Sequence, residues 1–145
     1  MAYESYGARQ YWGVIASIIP DHLGFNGRDP DSSDPFNMAL NYGYGILYSI
    51  VEKSLLLAGL DPYLGFLYTL KSGKPSLTLD FIEMFRQACV DKPLIIYAKS
   101  IDFELVAGKL SYETRRAIVK YVLDQLNRKH YYCKIGKKIE LSKIY

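Results

Sequence analysis

The chain has 145 residues, half of them apolar, and a formal net charge of +3. This length and apolar content suit one globular domain whose core needs no disulfide or metal to fold. No run approaches the roughly 20 apolar residues of a membrane span, so we expect no membrane partner. Cys89 and Cys133 form neither a CxxC pair nor a zinc set, and we interpret them as reduced thiols of a cytoplasmic protein.

The charge is unevenly distributed along the chain. Residues 1–98 hold 7 basic and 10 acidic side chains, whereas residues 99–145 hold 11 basic and 5 acidic ones. A basic segment attracts phosphate through counterion release, without sequence preference. A solvated lysine surface has the same composition, so charge alone leaves DNA binding and solvation open.

Helical periodicity predicts a mainly α domain with minor β structure. The first helix is predicted over residues 4–19 and ends at Pro20, and a polar loop follows over residues 21–34. Asp34 is the predicted N-cap of a second helix that runs to about Ala58.

Two glycines interrupt the second helix, and a third ends it. Gly43 and Gly45 cost helix stability, so they predict close packing against a neighbouring element. Gly59 follows the last helical residue and is the expected C-terminal stop.

The middle of the chain is predicted to hold shorter elements. A third helix is expected over residues 61–69, a turn over 71–75, and a fourth helix capped by Ser76 that runs to about residue 90. The sequence Asp91-Lys-Pro93 predicts a break, and the apolar run 94–99 fits either a strand or a helix.

The last third predicts a hairpin, a helix and a strand. Residues 105–110 favour a short hairpin-like connection, and Ser111 is the expected cap of an amphipathic helix to about Asn127. The tail from Lys134 alternates weakly, which is typical of a short paired strand.

Two carboxylates lie three residues apart on the predicted fourth helix. Asp80 and Glu83 therefore share one helix face and can point at the same ion. Mg²⁺ and Mn²⁺ prefer such oxygen ligands, although the same spacing is common on solvated helices. The apolar neighbours of the pair make an unpartnered carboxylate costly, and Arg86 is the candidate partner of Glu83.

Basic and aromatic residues alternate in the tail between residues 128 and 138. This pattern suits contact with single strands or with a nucleic-acid backbone. A frayed helix end, whose cations favour the helix dipole, explains it equally well. His22 and His130 are expected to be exposed rather than to bind a metal.

Four longer segments of the chain keep a characteristic order. They are Glu4-Ser-Tyr-Gly-Ala-Arg-Gln-Tyr-Trp12, Asp34-Pro-Phe-Asn-Met-Ala-Leu-Asn-Tyr-Gly-Tyr-Gly45, Ala58-Gly-Leu-Asp-Pro-Tyr-Leu-Gly-Phe-Leu-Tyr68 and Ser76-Leu-Thr-Leu-Asp-Phe-Ile-Glu-Met-Phe-Arg86. Together they resemble the catalytic half of the universal CRISPR adaptation integrase, the metal-dependent nuclease that inserts spacers in antiviral defence. The resemblance is strong over residues 1–100 and loose beyond them.

The resemblance implies a site that binds Mg²⁺ or Mn²⁺. Glu4 corresponds to the first metal ligand, and Glu83 to the ligand on the fourth helix with Asp80 beside it. Asn41, Tyr42 and Tyr44 match an Asn-Tyr-x-Tyr signature; they either organise the pocket or satisfy the core. The candidate DNA-binding residues are Arg9, Arg28, Lys71, Lys74, Arg86, Lys134, Lys137 and Lys138.

Tyr68 stands where the family has a histidine ligand. A phenol with an unperturbed pKa near ~10 is a poor ligand while it is protonated, so Tyr68 predicts impaired catalysis. The resemblance also implies one helical domain over residues 1–145, lacking the family's N-terminal β domain and the end of its C-terminus. Whether that loss is natural or engineered stays open.

The sequence and the resemblance suggest three candidate functions. The first is a metal-dependent DNA endonuclease or integrase domain of spacer acquisition, weakened at Tyr68. The second is a non-catalytic relative that binds DNA or a partner, such as a full-length integrase or the small second CRISPR adaptation subunit; a homodimer is a further candidate assembly. The third, an unrelated helical protein, is disfavoured by the length and order of the matching segments.

Overall fold

The computed structural model describes the backbone of residues 2–65, 75–100, 102–132 and 137–140, and the side chains of residues 6–65, 75–100 and 102–128. These ranges are mainly helical, as the sequence predicts. The helices are α1 (Ala2–Ala16), α2 (Pro35–Leu57), α3 (Ser76–Arg86), α4 (Lys92–Ser100) and α5 (Tyr112–Asn127). The strands are β1 (Leu105–Val106), β2 (Lys109–Leu110), β3 (Lys129–Tyr132) and β4 (Lys137–Glu140).

Helix α2 is the centre of the fold and packs against both α3 and α5. It begins as predicted, because the Asp34 carboxylate accepts a hydrogen bond from the Asn37 amide at 2.8 Å. It also ends as predicted, at Gly59 with a φ of +75°. Among the residues of α2 that lie fully buried in the core are Phe36, Leu40, Leu47 and Val51.

The two glycines of α2 differ, and only one prediction of close packing is confirmed. A Cβ at Gly43 would lie 2.6 Å from Val90 Cγ1, so α2 approaches this part of the chain too closely for a side chain. A Cβ at Gly45 would meet nothing within 4 Å, so that prediction was wrong.

The predicted break at Asp91-Lys-Pro93 was also wrong. The chain passes from α3 through a π-helical turn over Gln87–Asp91 directly into α4, which contains Pro93. Proline cannot donate an intrahelical hydrogen bond, and the widened turn before it accommodates that loss. The ambiguous run 94–99 is therefore helical, and residues 87–91 turn Cys89, Val90 and Asp91 into the core.

Three local predictions need correction. Ser76 is not the cap of α3: it is the first helical residue, and its hydroxyl donates to the Tyr63 carbonyl at 2.8 Å. Residues 61–65 are not helical, and the rest of the predicted third helix lies outside the described residues. The first helix ends at Ala16 in a short turn, three residues before the predicted end.

Aromatic rings connect α1 to the far side of the domain through edge-to-face contacts. Trp12 packs on Phe25, Phe25 on Phe36, and Phe36 on Phe103, with ring centroids 4.8–6.1 Å apart. Beyond these contacts most of the described side chains of α1 are exposed, including Val14 at 59 %.

Two antiparallel hairpins complete the domain. Strands β1 and β2 form the predicted hairpin around Ala107 and Gly108, whose φ angles of +52° and +72° suit a two-residue turn. Ser111 caps α5 by accepting from the Thr114 amide at 3.1 Å, as predicted. Strand β4 pairs with β3, so the end of α5 leads into a strand rather than a frayed helix.

In the part of the chain that the structure describes, no helix is both long and apolar enough to cross a membrane.

Candidate active site

The carboxylate pair predicted on α3 has two different environments. Asp80 is buried, at 9 % exposure. A Cβ added at Gly65 would lie 2.9 Å from Asp80 Oδ2, so this carboxylate oxygen lies close to the Gly65 backbone. Glu83 lies one turn further along, with its side chain 45 % exposed. Both belong to α3, whose apolar face carries Leu77, Ile82 and Phe85 into the core.

The predicted partnership of Glu83 with Arg86 is confirmed. The Arg86 guanidinium donates to Glu83 Oε1 at 2.5 Å and also lies 4.3 Å from the centre of the Tyr44 ring. The position of Arg86 is therefore set by a carboxylate on one side and an aromatic ring of α2 on the other.

Asp91 is the most buried carboxylate near this pair, at 3 % exposure. Its Oδ1 accepts a hydrogen bond from the Tyr44 hydroxyl at 2.5 Å, and its Oδ2 accepts one from the Tyr11 hydroxyl at 3.0 Å. Burial raises the pKa of Asp91, although both phenol hydrogen bonds oppose that rise. Burial and the Asp91 charge likewise raise the pKa of Tyr11 and of Tyr44, so both phenols stay protonated donors.

A cavity of about 320 Å³ lies between α1 and α3. Gly7, Ala8 and Tyr11 of α1 line one side of it, and Glu83 and Arg86 line the other. Glu4 is on α1, four residues before Ala8, so helical geometry places position 4 on the face that borders this cavity.

A second and larger cavity, of about 730 Å³, lies beside α1 and the loop that precedes α2. Arg9 and Arg28 are its cations, and the half-buried Trp12 is its aromatic residue. Arg9 is exposed, whereas Arg28 donates to Asn37 Oδ1 at 3.0 Å and to Asn41 Oδ1 at 2.5 Å. Burial lowers the Arg28 pKa, and its Nε has no hydrogen-bond partner among the described residues.

The signature residues Asn41, Tyr42 and Tyr44 are divided between places. Tyr44 joins Asp91 and Arg86, and Asn41 binds Arg28 and the Pro30 carbonyl. Tyr42 lines a separate groove with Lys109 and Arg115, and Asn41 also borders that groove. The signature therefore organises more than one polar cluster.

Several predicted site residues lie outside the described part of the chain. These are Tyr68, Lys71, Lys74 and Lys134, together with the side chains of Glu4, Lys137 and Lys138. Among the side chains that are described, no group of three His, Cys, Asp or Glu residues is arranged to hold a metal ion. His22 is exposed, as expected, and lies 2.7 Å from Asp102.

Sequence reasoning missed Asp91 and Tyr11 as residues of this region. The usable signal was a carboxylate in the apolar run Cys89-Val-Asp-Lys-Pro-Leu94, where an unpartnered charge is costly. Because this segment was predicted to be a helix break, the burial of its carboxylate was not predicted. The partner Tyr11 lies 80 residues away, beyond the reach of local patterns.

Comparison with known proteins identifies the family. The model of the family described as "CRISPR associated protein Cas1" matches residues 1–131. A CRISPR-associated endonuclease Cas1 of Hyperthermus butylicus is 44 % identical over 136 residues, covering 93 % of this chain and 40 % of that protein. One from Pyrobaculum aerophilum is 44 % identical over 127 residues, covering 88 % of this chain and 41 % of its own length.

Solved structures share the fold. A casposase bound to its integration product superposes with a TM-score of 0.79 at 30 % identity, covering 94 % of this chain and 41 % of that one. A Cas1 protein from Thermotoga maritima superposes with the same TM-score at 23 % identity, covering 92 % and 44 %. The chain thus spans about two fifths of the length of these proteins, and it belongs to the CRISPR-associated Cas1 family.

Proposed function

We propose that this domain acts in CRISPR spacer acquisition as a metal-dependent DNA endonuclease or integrase domain. The observation that carries the proposal is the likeness, at 30 % identity over 94 % of this chain, to a casposase bound to its integration product. DNA is therefore the proposed substrate. A cytoplasmic location, a homodimer and association with a full-length integrase or the small second adaptation subunit are parts of the same proposal.

The donor atoms of α3 fit a divalent cation. Asp80 and Glu83 offer hard oxygen ligands from one face of one helix, and Glu4 would add a third from α1. Mg²⁺ or Mn²⁺ held there would act as a Lewis acid and activate a 3′-hydroxyl or a water for attack at a phosphodiester.

The arginines that line the two cavities have different roles in this proposal. Arg9 is exposed beside the larger cavity and is suited to contact a phosphate. Arg28 is held by Asn37 and Asn41, so it shapes the cavity wall and contributes charge rather than reaching outwards. Arg86 neutralises Glu83 and would be released towards DNA when a cation binds the carboxylate.

Catalysis is proposed to be weak because of Tyr68. A protonated phenol replaces the imidazole that the family places there, so the site would lack one good ligand. The second candidate function, a non-catalytic DNA-binding or partner-binding domain, is favoured by this same residue. The two candidates differ in whether the protein, when metal is present, makes or breaks covalent bonds in DNA.

A strand-transfer assay separates these candidates. Labelled DNA with a free 3′-hydroxyl is incubated with the 145-residue protein and target DNA, with Mn²⁺ or with a chelator. We expect slow, metal-dependent joining or nicking that Glu83→Gln and Asp80→Asn abolish. Glu113→Gln, at an exposed carboxylate of α5, is the matched control and should leave the rate unchanged. DNA binding without any covalent product would instead establish the second candidate.

A further inference from the structure

Residues 6–13 of α1 are weakly anchored to the domain. Of the side chains described between residues 6 and 13, only Tyr11 and Trp12 are partly buried, and the others are exposed. Trp12 packs on Phe25 on the side of the larger cavity, while Tyr11 faces the α3 side through its bond to Asp91. Among the described side chains, the hydrogen bond from the Tyr11 hydroxyl to Asp91 is thus the one that joins residues 6–13 to the α3–α4 segment.

The burial of the Asp91 carboxylate costs free energy of folding. The residue is 97 % buried on the π-helical turn, and it carries no direct ion pair among the described side chains. A buried carboxylate stabilises a fold less than a well-packed apolar residue of similar volume does. Its two oxygens instead specify geometry, because one binds a phenol of α1 and the other a phenol of α2.

The second phenol extends the link to the carboxylates of α3. The Tyr44 ring lies 4.3 Å from the Arg86 guanidinium, and Arg86 bonds to Glu83. A continuous set of contacts therefore runs from Tyr11 through Asp91, Tyr44 and Arg86 to Glu83. Every member except Tyr44 lines the cavity that α1 and α3 share.

We propose that Asp91 is a positioning residue that holds α1 against the α3–α4 segment and so sets the spacing between helix positions 4 and 83. Its consequence for metal binding rests on the proposed function, whereas the anchoring of α1 does not.

Backbone hydrogen exchange tests the anchoring without any metal. Tyr11→Phe removes one oxygen and leaves the ring in place, so amides of α1 should exchange about tenfold faster or more. Asp91→Asn should act in the same direction but less strongly, since one terminal atom becomes a donor and can bond to a phenol only if that hydrogen bond reverses its direction. Amides of α5 serve as an internal reference and should not change.

Tyr48→Phe is the matched control. It removes the same atom from a tyrosine of α2 whose hydroxyl bonds to Glu52 at 3.2 Å, away from Asp91. Trp12 supplies an independent signal: it is the only tryptophan, and its ring lies 4.9 Å from that of Tyr11. Its emission should change with Tyr11→Phe and stay constant with Tyr48→Phe.

Mn²⁺ titration of the same proteins tests the positioning role. If wild type binds Mn²⁺, Tyr11→Phe should weaken the affinity roughly tenfold, as loss of an outer-shell partner does elsewhere. Unchanged exchange in α1 for both Tyr11→Phe and Asp91→Asn would overturn the anchoring. Faster exchange with unchanged Mn²⁺ affinity would overturn the positioning role. Faster exchange in a protein that never binds Mn²⁺ would uphold the anchoring and defeat the proposed function.

Discussion

Gly43 and Val90 mark a close approach between α2 and the π-helical turn. The Cβ that any other residue would place at position 43 would come within 2.6 Å of Val90 Cγ1. Val90 is fully buried and branched at its Cβ, so it has little freedom to move away. This contact holds the turn that carries Asp91 against the helix that carries Tyr44.

Gly43→Ala should therefore destabilise the domain even though alanine favours helices. Overpacking of this kind costs about 1–3 kcal/mol, which outweighs the gain in helix propensity. Gly45→Ala is the control on the same helix, because its Cβ meets nothing within 4 Å, and it should stabilise by about 0.5–1 kcal/mol. Urea unfolding of both variants gives the comparison, and equal shifts of one sign would contradict the packing argument.

Asp34→Ala should cost about 1–2 kcal/mol of stability. The carboxylate caps α2 through the Asn37 amide and also accepts from the Asn37 side chain at 2.7 Å. Asp31→Ala removes a carboxylate from the same loop that caps no helix, and it should change stability by less than about 0.5 kcal/mol. Thermal unfolding measures both, and similar losses would mean that loop charge rather than capping matters.

Stability should fall as the pH rises above about 9. Burial raises the pKa of the Cys89 thiol from 9.0 to about 11, so the unfolded chain loses this proton at a lower pH than the native protein does. The native state binds more protons between these values, and its stability decreases there by up to roughly 3 kcal/mol. The raised pKa values of Tyr11 and Tyr44 extend the loss to higher pH.

Cys89→Ala isolates the thiol contribution. The variant is expected to be less stable near pH 7 because of the cavity it leaves, but its stability should fall less steeply between pH 9 and 10. Urea midpoints at several pH values give the two slopes. Parallel curves of stability against pH for the variant and wild type would contradict a raised pKa of the Cys89 thiol in the native protein.

Tyr68→His should raise the affinity for Mn²⁺, because a neutral imidazole replaces a protonated phenol without a costly ionisation. Calorimetric titration of both proteins near neutral pH measures the difference. Tight Mn²⁺ binding and rapid DNA cleavage by wild type would show that Tyr68 is no handicap. An unchanged affinity in the variant would mean that the site differs from the family's in more than this residue.

DNA binding should be sequence-independent and should weaken steeply with salt. Charge reversal at Lys134, Lys137 and Lys138 should reduce the affinity equally for different sequences and lower the salt dependence. Lys53→Glu, in the acidic first part of the chain, is the control and should have a smaller effect. If the triple reversal leaves the affinity unchanged, the tail is only a solvated surface.

Sequence alone determined the features that depend on neighbours within a few residues. The cap at Asp34, the cap at Ser111 and the pairing of Glu83 with Arg86 all follow from spacings of three residues. Such contacts form wherever the chain is helical, so a local pattern predicts them. The family could also be recognised, since its motifs keep their order along the chain.

Tertiary structure decided what no local pattern distinguishes. Gly43 and Gly45 have the same propensity, and only the position of Val90 makes one of them necessary. Asp91 follows a helix and precedes a proline, which locally predicts a break, yet the chain continues as a helix and buries the carboxylate. Its two partners come from 47 and 80 residues away, because burial of a charge is settled by whichever donors the packed helices bring to it.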